Sequence, residues 1–277
     1  MENKKRLSEW LVASDIDGTL NNKIRKLPQR NKDAINRFVE LGGKFTLASG
    51  RSPLSMEKHF RQFPIEDTPA VVINGAGLYD FKKHEMIWFS AMSDEGMRLG
   101  VEAAKKFPLV DVIVVAKDII YITGLGLFGN MFVIPDKLPH KHIYNIDKVP
   151  KENWGKVIYS GDPISIARIK KHFESMDDPD LTLMSSSIAS FEILARDTHK
   201  GTAVMKLAEI LGIEKEKTAA IGDYFNDYDM LKTVGVPACC GQAPQELKDI
   251  SEFVSCHCNN GAVADFLEYI ELKENNK

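Results

Sequence analysis

Two aspartates, Asp15 and Asp17, follow a run of apolar and small residues that begins at Trp10. The run has the composition of a buried strand, and residues two apart in a strand point to the same side. Like charges that lie close together and are partly removed from water repel each other strongly. Two carboxylates at the end of a buried strand therefore indicate a site at which a positive group or a cation compensates their charge.

A third carboxylate, Asp223, follows another apolar strand, which is predicted over Thr218–Ile221. Open parallel sheets bind ligands at the carboxyl ends of their strands, so we expect Asp223 at the same edge as Asp15 and Asp17. Oxygen ligands from separate strand ends suit a hard divalent cation. With so few protein ligands and an anionic substrate, Mg²⁺ fits this site better than Ca²⁺.

Groups suited to binding a phosphate are expected at the same edge. Ser49, Gly50 and Arg51 end a second predicted strand and offer a hydroxyl, backbone N–H groups and a guanidinium. Lys200 begins a predicted helix and can balance the negative charge. Together with a nucleophilic carboxylate and Mg²⁺, these are the components of phosphoryl transfer. The alternative for Lys200 is a surface lysine, although a helix N-terminus disfavours positive charge.

The elements that carry these residues predict a doubly wound α/β core with a mainly parallel sheet. Strands are predicted at Trp10–Ser14, Lys44–Ser49 and Ala70–Asn74, and a helix that ends at Gly42 joins the first two. Strands and helices joined by short links form right-handed βαβ units. The alternation returns near residue 200, with a helix predicted over Gly201–Leu211.

Residues 88–195 have a different character and predict an α+β domain inserted into the core, which comprises residues 1–87 and 196–277. Strands pair here with few helices between them, and the segment is long enough to be a domain. A hairpin is predicted at VDVIVV and DIIYIT, and residues 137–151 are expected to be irregular. The other predicted elements are helices over Ser93–Phe107 and Ile164–Met176 and strands over Lys156–Ser160, Leu181–Ser185 and Ser190–Leu194.

Composition and charge restrict the partners of the chain. Its 277 residues carry a formal net charge of −3, so it lacks a basic field for nucleic acid and a polybasic patch for membranes. The charged N-terminus has no apolar segment of the signal-peptide kind, and no apolar run approaches the roughly 20 residues of a bilayer span. We therefore expect a cytoplasmic monomer or weak homodimer whose partner is a small-molecule substrate, not nucleic acid or a membrane.

The four cysteines are Cys239, Cys240, Cys256 and Cys258. Their spacings differ from the two-residue separation of zinc knuckles. Each pair lies at the end of a predicted strand, where small residues pack well. We expect reduced, structural thiols.

Two further patterns are interpreted as loops. Gly124–Gly129 matches the dinucleotide-binding pattern G-x-G-x-x-G, but Pro135 and Pro139 exclude the helix that must follow it. We expect a mobile apolar loop in the inserted domain. His140 and His142 have no acidic or cysteine partner at a useful spacing, which favours a solvated loop over a metal site.

Several motifs occur in a fixed order: DIDGTL at Asp15–Leu20, TLASGR at Thr46–Arg51, NGAGLYD at Asn74–Asp80, KG at Lys200-Gly201 and GDYFND at Gly222–Asp227. This order resembles the haloacid dehalogenase superfamily, and more narrowly its Cof-type sugar-phosphate phosphatases of subfamily IIB with a C2-type cap. The resemblance covers nearly the whole core. It implies a Mg²⁺-dependent phosphoric monoester hydrolase whose inserted cap closes over a small phosphorylated metabolite.

The resemblance also implies a role for each matched residue. Asp15 would be the nucleophile that forms an aspartyl-phosphate, and Asp17 would protonate the leaving oxygen and then deprotonate the attacking water. Mg²⁺ would be held by a carboxylate oxygen of Asp15, the backbone carbonyl of Asp17 and the carboxylate of Asp223, with Asp227 supporting these ligands from behind. The phosphoryl group would be bound by Ser49, Gly50, Lys200 and Asn226. The substrate side would be lined by Arg51 and Asn74.

Two other functions stay open from the sequence: a phosphomutase on the same fold and a non-catalytic sensor of a phosphorylated ligand. Asp17 argues against a sensor, because binding alone does not require an acid–base group. Asp17 also favours hydrolysis. The resemblance implies that related ion pumps carry Thr at this position, and their aspartyl-phosphate is not hydrolysed in this way. Simpler alternatives exist for Asn226, as the cap of a short helix over Asp227–Thr233, and for Arg51, as a surface cation.

Overall fold

The structure is a computed structural model that describes residues 6–124, 126, 128–134 and 137–276. The chain divides into two compact units. The first combines the residues up to Ile87 with those from His199 onward, and the second comprises Trp88–Thr198. Within the described ranges, no helix combines the length and the apolar character that crossing a bilayer requires.

The first part of the chain contains β1 (Leu11–Ser14), α1 (Gln29–Glu40), β2 (Lys44–Leu47), α2 (Pro53–Phe60), β3 (Ala70–Val72), β4 (Gly77–Asp80) and β5 (Glu85–Phe89). The second unit continues with α3 (Asp94–Lys106), β6 (Asp111–Ala116), β7 (Ile120–Thr123), α4 (Gly129–Val133), β8 (His140–His142), β9 (Trp154–Ser160), α5 (Pro163–Met176), β10 (Leu181–Ser187) and β11 (Ser190–Ala195). The return to the first unit contains α6 (Lys200–Leu211), β12 (Thr218–Gly222), α7 (Tyr228–Thr233), β13 (Val236–Cys239), α8 (Gln245–Asp249), β14 (Phe253–Val254) and α9 (Ala262–Asn275).

Five strands of the first unit form a parallel sheet in the order β14-β13-β12-β1-β2. Every residue of β1 is buried, as is typical of parallel strands covered on both faces. The register sets Ser14 opposite both Ile221 of β12 and Leu47 of β2, so the three strands end at the same edge. The predicted doubly wound α/β core is confirmed.

Helices pack in pairs in this unit, α1 against α9 and α6 against α7. α1 buries Ile35 and Phe38, two of the residues whose spacing predicts the helix. Gly42, two residues beyond the end of α1, and Gly212, directly after α6, have φ angles of 93° and 68°. Only glycine adopts this left-handed region without strain, which is why both helices end where the sequence predicts.

The strand predicted over Ala70–Asn74 is confirmed as β3 for Ala70–Val72, whereas its predicted place in the parallel sheet is wrong. β3 ends two residues before the predicted end and pairs antiparallel with β4, in a separate sheet of order β3-β4-β5. A single parallel bridge, Ala48 opposite Val71, connects β3 to the end of β2. The strand ends because Ile73 and Asn74 have φ angles of 54° and 55°, which are incompatible with an extended chain.

The second unit is built on a six-stranded sheet in the order β10-β11-β9-β6-β7-β8. Neighbouring strands are antiparallel except β7 and β8, which are parallel. α3 and α5 pack against β9 and β11 around a core that includes Tyr159, Phe173 and Phe191. The predicted hairpin, helices and strands of this segment are confirmed.

The expectation that residues 137–151 are irregular is wrong at β8. His140 and His142 pair with Ile120 and Ile122 of β7, so both histidines belong to an edge strand and not to a loop. All three residues of β8 are exposed. An edge strand draws its stability from backbone pairing and needs no apolar alternation, so the sequence carries no signal for it.

The expectation that no helix follows the G-x-G-x-x-G pattern is also wrong. α4 begins at Gly129, the last glycine of the pattern, and it ends before Pro135 and Pro139 can interrupt it. Leu125, Leu127 and Pro135 lie outside the described residues.

The backbone N–H groups of this loop donate hydrogen bonds to a carboxylate of the protein itself. Asp111, which is buried in β6, accepts hydrogen bonds from the backbone N–H groups of Gly126 at 2.9 Å, Phe128 at 2.5 Å and Gly129 at 3.0 Å. These are the N–H groups that a pyrophosphate would need in a dinucleotide site. The glycine pattern therefore serves to bind Asp111.

Replacing Asp111 with Ala would remove the acceptor of three backbone N–H groups. We expect the second unit to be destabilised by roughly 3 kcal/mol, because buried donors without a partner retain their full desolvation cost. Asp118→Ala, an exposed aspartate in the turn after β6, is the matched control. Hydrogen–deuterium exchange of peptides from residues 88–198 measures the effect, and equal protection in the two variants would contradict this account.

Candidate active site

Lys200 lies at the centre of a buried group of carboxylates. Its Nζ is 2.6 Å from Oδ1 of Asp15 and 2.6 Å from Oδ1 of Asp227. The side chains of Lys200 and Asp227 are fully buried, and that of Asp15 is 7% exposed. The alternative of a surface lysine is therefore wrong, because the ammonium group is enclosed between two carboxylates.

The parallel sheet brings these charges together. Asp15 directly follows β1, and its backbone N–H donates to the carbonyl of Ile221 in β12 at 3.0 Å. The turn after β12 carries Asp223 and Asp227, and α6 begins with Lys200. Because β1 and β12 are parallel neighbours, both strand ends lie at one edge of the sheet.

Asp227 organises the turn after β12 through its second carboxylate oxygen. Oδ2 accepts hydrogen bonds from the backbone N–H groups of Asp223 at 3.0 Å and Tyr224 at 3.3 Å. Gly222 makes this turn possible, because a Cβ at its position would lie 2.4 Å from the Cβ of Asp227. Both oxygens of Asp227 therefore bind groups within the protein.

Asp15, Asp223 and Asp227 form a group that could hold a metal ion, since one oxygen from each lies within 4.8 Å of the others. Burial raises the pKa of Asp15 to about 7, against the opposing effect of Lys200. Burial, and then the charge of Asp227, raises the pKa of Asp223 to about 6. One lysine does not neutralise three carboxylates, so the site favours a further cation.

Gly18 and Thr19 connect the loop after β1 to Asp223. Gly18 has a φ angle of 90°, and a Cβ at its position would lie 2.4 Å from Oδ2 of Asp223. Thr19 is fully buried and donates its hydroxyl to Oδ1 of Asp223 at 3.3 Å. Composition and spacing assign neither residue a role, although the Gly-Thr pair directly follows the two aspartates.

Asp17 and Arg51 form an ion pair. Nη2 of Arg51 lies 2.7 Å from Oδ2 and 3.0 Å from Oδ1 of Asp17, and Nε lies 3.1 Å from Oδ2. The side chain of Arg51 is only 20% exposed, which contradicts the alternative of a surface cation. The guanidinium of Arg51 orients the carboxylate of Asp17, and the expectation that Arg51 lines the substrate side stays a prediction.

Ser49, Gly50 and Asn74 lie together beyond the end of β2. The carbonyl of Ser49 accepts the backbone N–H of Asn74 at 3.0 Å, and a Cβ on Gly50 would lie 2.6 Å from Oδ1 of Asn74. Gly75 follows with a φ angle of 96°, and a Cβ there would lie 2.2 Å from the carbonyl oxygen of His199. This close approach packs the loop against the start of α6.

Asn226 lies partly exposed in the 3₁₀ turn Phe225–Asp227, between Asp223 and α7. Asp227, not Asn226, occupies the N-cap position of α7. The alternative that Asn226 caps this helix is therefore wrong. Its position in the turn that carries Asp223 is compatible with contact to a substrate.

The four cysteines, Cys239, Cys240, Cys256 and Cys258, are free thiols, as expected. Burial raises the pKa of each thiol above its ordinary value. The group found among the described residues that could hold a metal ion contains no cysteine. These observations agree with structural thiols.

Together, the fold and the site define a doubly wound α/β protein with a buried acidic centre at the carboxyl edge of its sheet. The family model of the haloacid dehalogenase-like hydrolases matches residues 12–267 of the chain. The chain belongs to this family, and the family predicted from its motifs is confirmed.

Relatives and solved structures agree with this assignment. A 5-amino-6-(5-phospho-D-ribitylamino)uracil phosphatase of Bacillus subtilis is 26% identical over 286 residues, which cover 94% of this chain and 97% of the relative. A haloacid dehalogenase-like hydrolase from Bacteroides thetaiotaomicron has the same fold with a TM-score of 0.81 and 20% identity, over 94% of this chain and 99% of that one. A sugar phosphatase of subclass IIB has the same fold with a TM-score of 0.78 and 18% identity, over 95% of this chain and 99% of that one. The chain is a phosphatase, as predicted.

Replacing Lys200 with Met would leave Asp15 and Asp227 buried without a cation between them. We expect the free energy of unfolding to fall by about 3–5 kcal/mol and phosphatase activity to be lost, because breaking a buried ion pair leaves uncompensated charges. Lys206→Met is the matched control, since Lys206 lies in the same helix in a solvent-accessible pair with Glu209. Urea denaturation measures both variants, and equal stabilities would contradict the central position of Lys200.

Proposed function

We propose that the protein hydrolyses phosphomonoesters of small metabolites through an aspartyl-phosphate formed on Asp15. The observation that carries this proposal is the position of Lys200, 2.6 Å from both Asp15 and Asp227 in a buried site. A positive charge fixed beside a carboxylate nucleophile stabilises a phosphoryl group as it is transferred. The relatives that are named as phosphatases support the same chemistry.

Mg²⁺ is the proposed cofactor, with Asp15, Asp223 and the backbone carbonyl of Asp17 as its ligands. These donors are all oxygens, as a hard cation requires, and the carboxylates of buried Asp15 and partly buried Asp223 leave negative charge to be compensated. Asp227 is the less suitable ligand, because its oxygens already bind Lys200 and two backbone N–H groups. When bound, Mg²⁺ supplies positive charge that neutralises the phosphoryl oxygens.

The reaction has two halves that use the same side chains. An oxygen of Asp15 attacks the phosphorus while the bond to the ester oxygen breaks, and Asp17 donates a proton to that leaving oxygen. Asp17 then accepts a proton from the water that attacks the phosphorus of the aspartyl-phosphate. Cleavage of the bond between Asp15 and phosphorus releases phosphate and restores the carboxylate of Asp15, and Asp17 regains the proton that it donated. Arg51 holds Asp17 in place for both transfers. Against the lowering effect of burial, the nearby carboxylates raise the pKa of Lys200, so it stays charged.

Small phosphorylated metabolites, and sugar phosphates first among them, are the proposed substrates. This choice is supported by the relative that acts on a phosphoribitylaminouracil and by the fold shared with a sugar phosphatase of subclass IIB. We assign substrate selection to the second unit, Trp88–Thr198, acting as a cap. We assign phosphate and substrate contacts in the first unit to Ser49, Gly50, Arg51, Asn74, Lys200 and Asn226.

Phosphate release from a panel of esters tests this proposal. The panel contains sugar phosphates, nucleotides, and flavin and pyridoxal phosphates, each assayed with Mg²⁺ and with a chelator. We expect Mg²⁺-dependent release that falls to the level of the buffer blank in Asp15→Asn, because the amide lacks the nucleophilic charge. Asp33→Asn, an exposed aspartate of α1, is the control that should retain wild-type activity.

Each other outcome has a distinct meaning. Equal release by wild type and Asp15→Asn would contradict the assigned nucleophile. Isomer formation from a hexose phosphate with little free phosphate would indicate a mutase. Tight ligand binding without turnover of any ester would indicate a sensor.

A further inference from the structure

Gln242 joins the loop after β1 to the segment that follows β14. Its Nε2 donates to the backbone carbonyl of Gly18 at 2.7 Å, and its Oε1 accepts the backbone N–H of Cys258 at 3.0 Å. The two partners fix the orientation of the amide, because a carbonyl only accepts and an N–H only donates. The link requires a side chain of this length that carries both a hydrogen-bond donor and an acceptor.

The backbone that carries Gln242 is held firmly by the parallel sheet. The N–H of Cys240 donates to the carbonyl of Gly222 at 3.0 Å, and the N–H of Gly241 donates to the carbonyl of Cys256 at 3.1 Å. These bonds fix the turn after β13 to the end of β12 and to the segment that follows β14. The side chain of Gln242 therefore starts from a rigid support, which is what a residue that positions others requires.

Gly18, the residue that Gln242 holds, is also where the loop touches Asp223. A Cβ at Gly18 would lie 2.4 Å from Oδ2 of Asp223, so the backbone and the carboxylate are in direct contact. Thr19, the next residue of this loop, donates its hydroxyl to Oδ1 of Asp223 at 3.3 Å.

We propose that Gln242 is a positioning residue for the phosphatase reaction, which holds the Gly18 loop and the carboxylate of Asp223 at the spacing that a divalent cation needs. This inference rests on the cation of the proposed function. Gln242 would act one layer behind the ligands, in the way that hydrogen-bonded neighbours orient metal ligands in other proteins. Loss of such a neighbour typically weakens metal binding by about 10–100-fold.

Gln242→Met tests the inference, because Met keeps the length and volume of the side chain but has neither an amide donor nor an amide acceptor. Two readouts are measured on the full chain: the dissociation constant for Mg²⁺ by calorimetry, and amide exchange at Leu20 and Asn21 without metal. The N–H groups of these two residues close the loop onto the carbonyls of Asp15 and Ile16. The control is Gln245→Met, an exposed position in α8.

We expect Gln242→Met to bind Mg²⁺ about tenfold more weakly and to exchange faster at Leu20 and Asn21, while Gln245→Met matches wild type. A purely structural role would lower the unfolding temperature and leave both readouts unchanged. Wild-type values for both readouts in Gln242→Met would overturn the inference. If that variant does not fold, Gln242→Asn, which keeps a shorter amide, is judged by the same two readouts.

The test separates this inference from the proposed function. Mg²⁺ binding by wild type with unchanged values in Gln242→Met would overturn the inference and leave the proposed cofactor standing. Absence of Mg²⁺ binding by wild type would contradict the proposed cofactor. The inference would then be decided by exchange at Leu20 and Asn21 alone, where faster exchange sustains the positioning of the loop and unchanged exchange overturns it.

Discussion

The burial of Lys200 between Asp15 and Asp227 constrains the whole first unit. Removing charges from water is costly, and the cost is offset only when the partners are held at short distances with their remaining atoms satisfied. Here both Nζ–oxygen distances are 2.6 Å, and the second oxygen of Asp227 binds two backbone N–H groups. The lysine still leaves the carboxylates in excess once Asp223 is counted. A site arranged in this way favours the binding of a further cation, which is the basis of the proposed cofactor.

Close backbone approaches hold this charged centre in shape. The lack of a side chain at Gly222 allows Asp227 to pack against the end of β12. In the same way, Gly18 allows the loop after β1 to contact Asp223, and Gly75 allows the loop after β3 to contact the start of α6. In each case a Cβ would lie 2.4 Å or less from a neighbouring atom. Function is therefore supported by contacts in which the absence of a side chain is the essential property. Gln242 and Arg51 add the polar links, one to the loop and one to Asp17.

Local patterns were sufficient to predict the alternating α/β core, the helix ends at Gly42 and Gly212, and the hairpin of the second unit. They were also sufficient to place Asp15 and Asp223 at one sheet edge, because parallel strands share their direction. Features that depend on distant partners were not predictable in the same way. β3 ends at the left-handed φ angles of Ile73 and Asn74. β8 forms through pairing with β7, and Asp111 in β6 accepts hydrogen bonds from a glycine-containing loop. None of these contacts leaves a periodic signal, since each satisfies backbone groups and not an apolar face.

The most direct test of a site with excess negative charge is the thermal unfolding of the metal-free protein as Mg²⁺ is added at constant ionic strength. An ion that binds only the folded state raises the unfolding midpoint progressively with its concentration. The account predicts such a rise for wild type and none for Asp223→Asn, which loses a proposed ligand. It also predicts that Asp223→Asn is at least as stable as wild type without metal, because a partly buried charge that lies beside other carboxylates is removed. Identical midpoints in the presence and absence of Mg²⁺ for wild type, or an equal rise in both proteins, would contradict it.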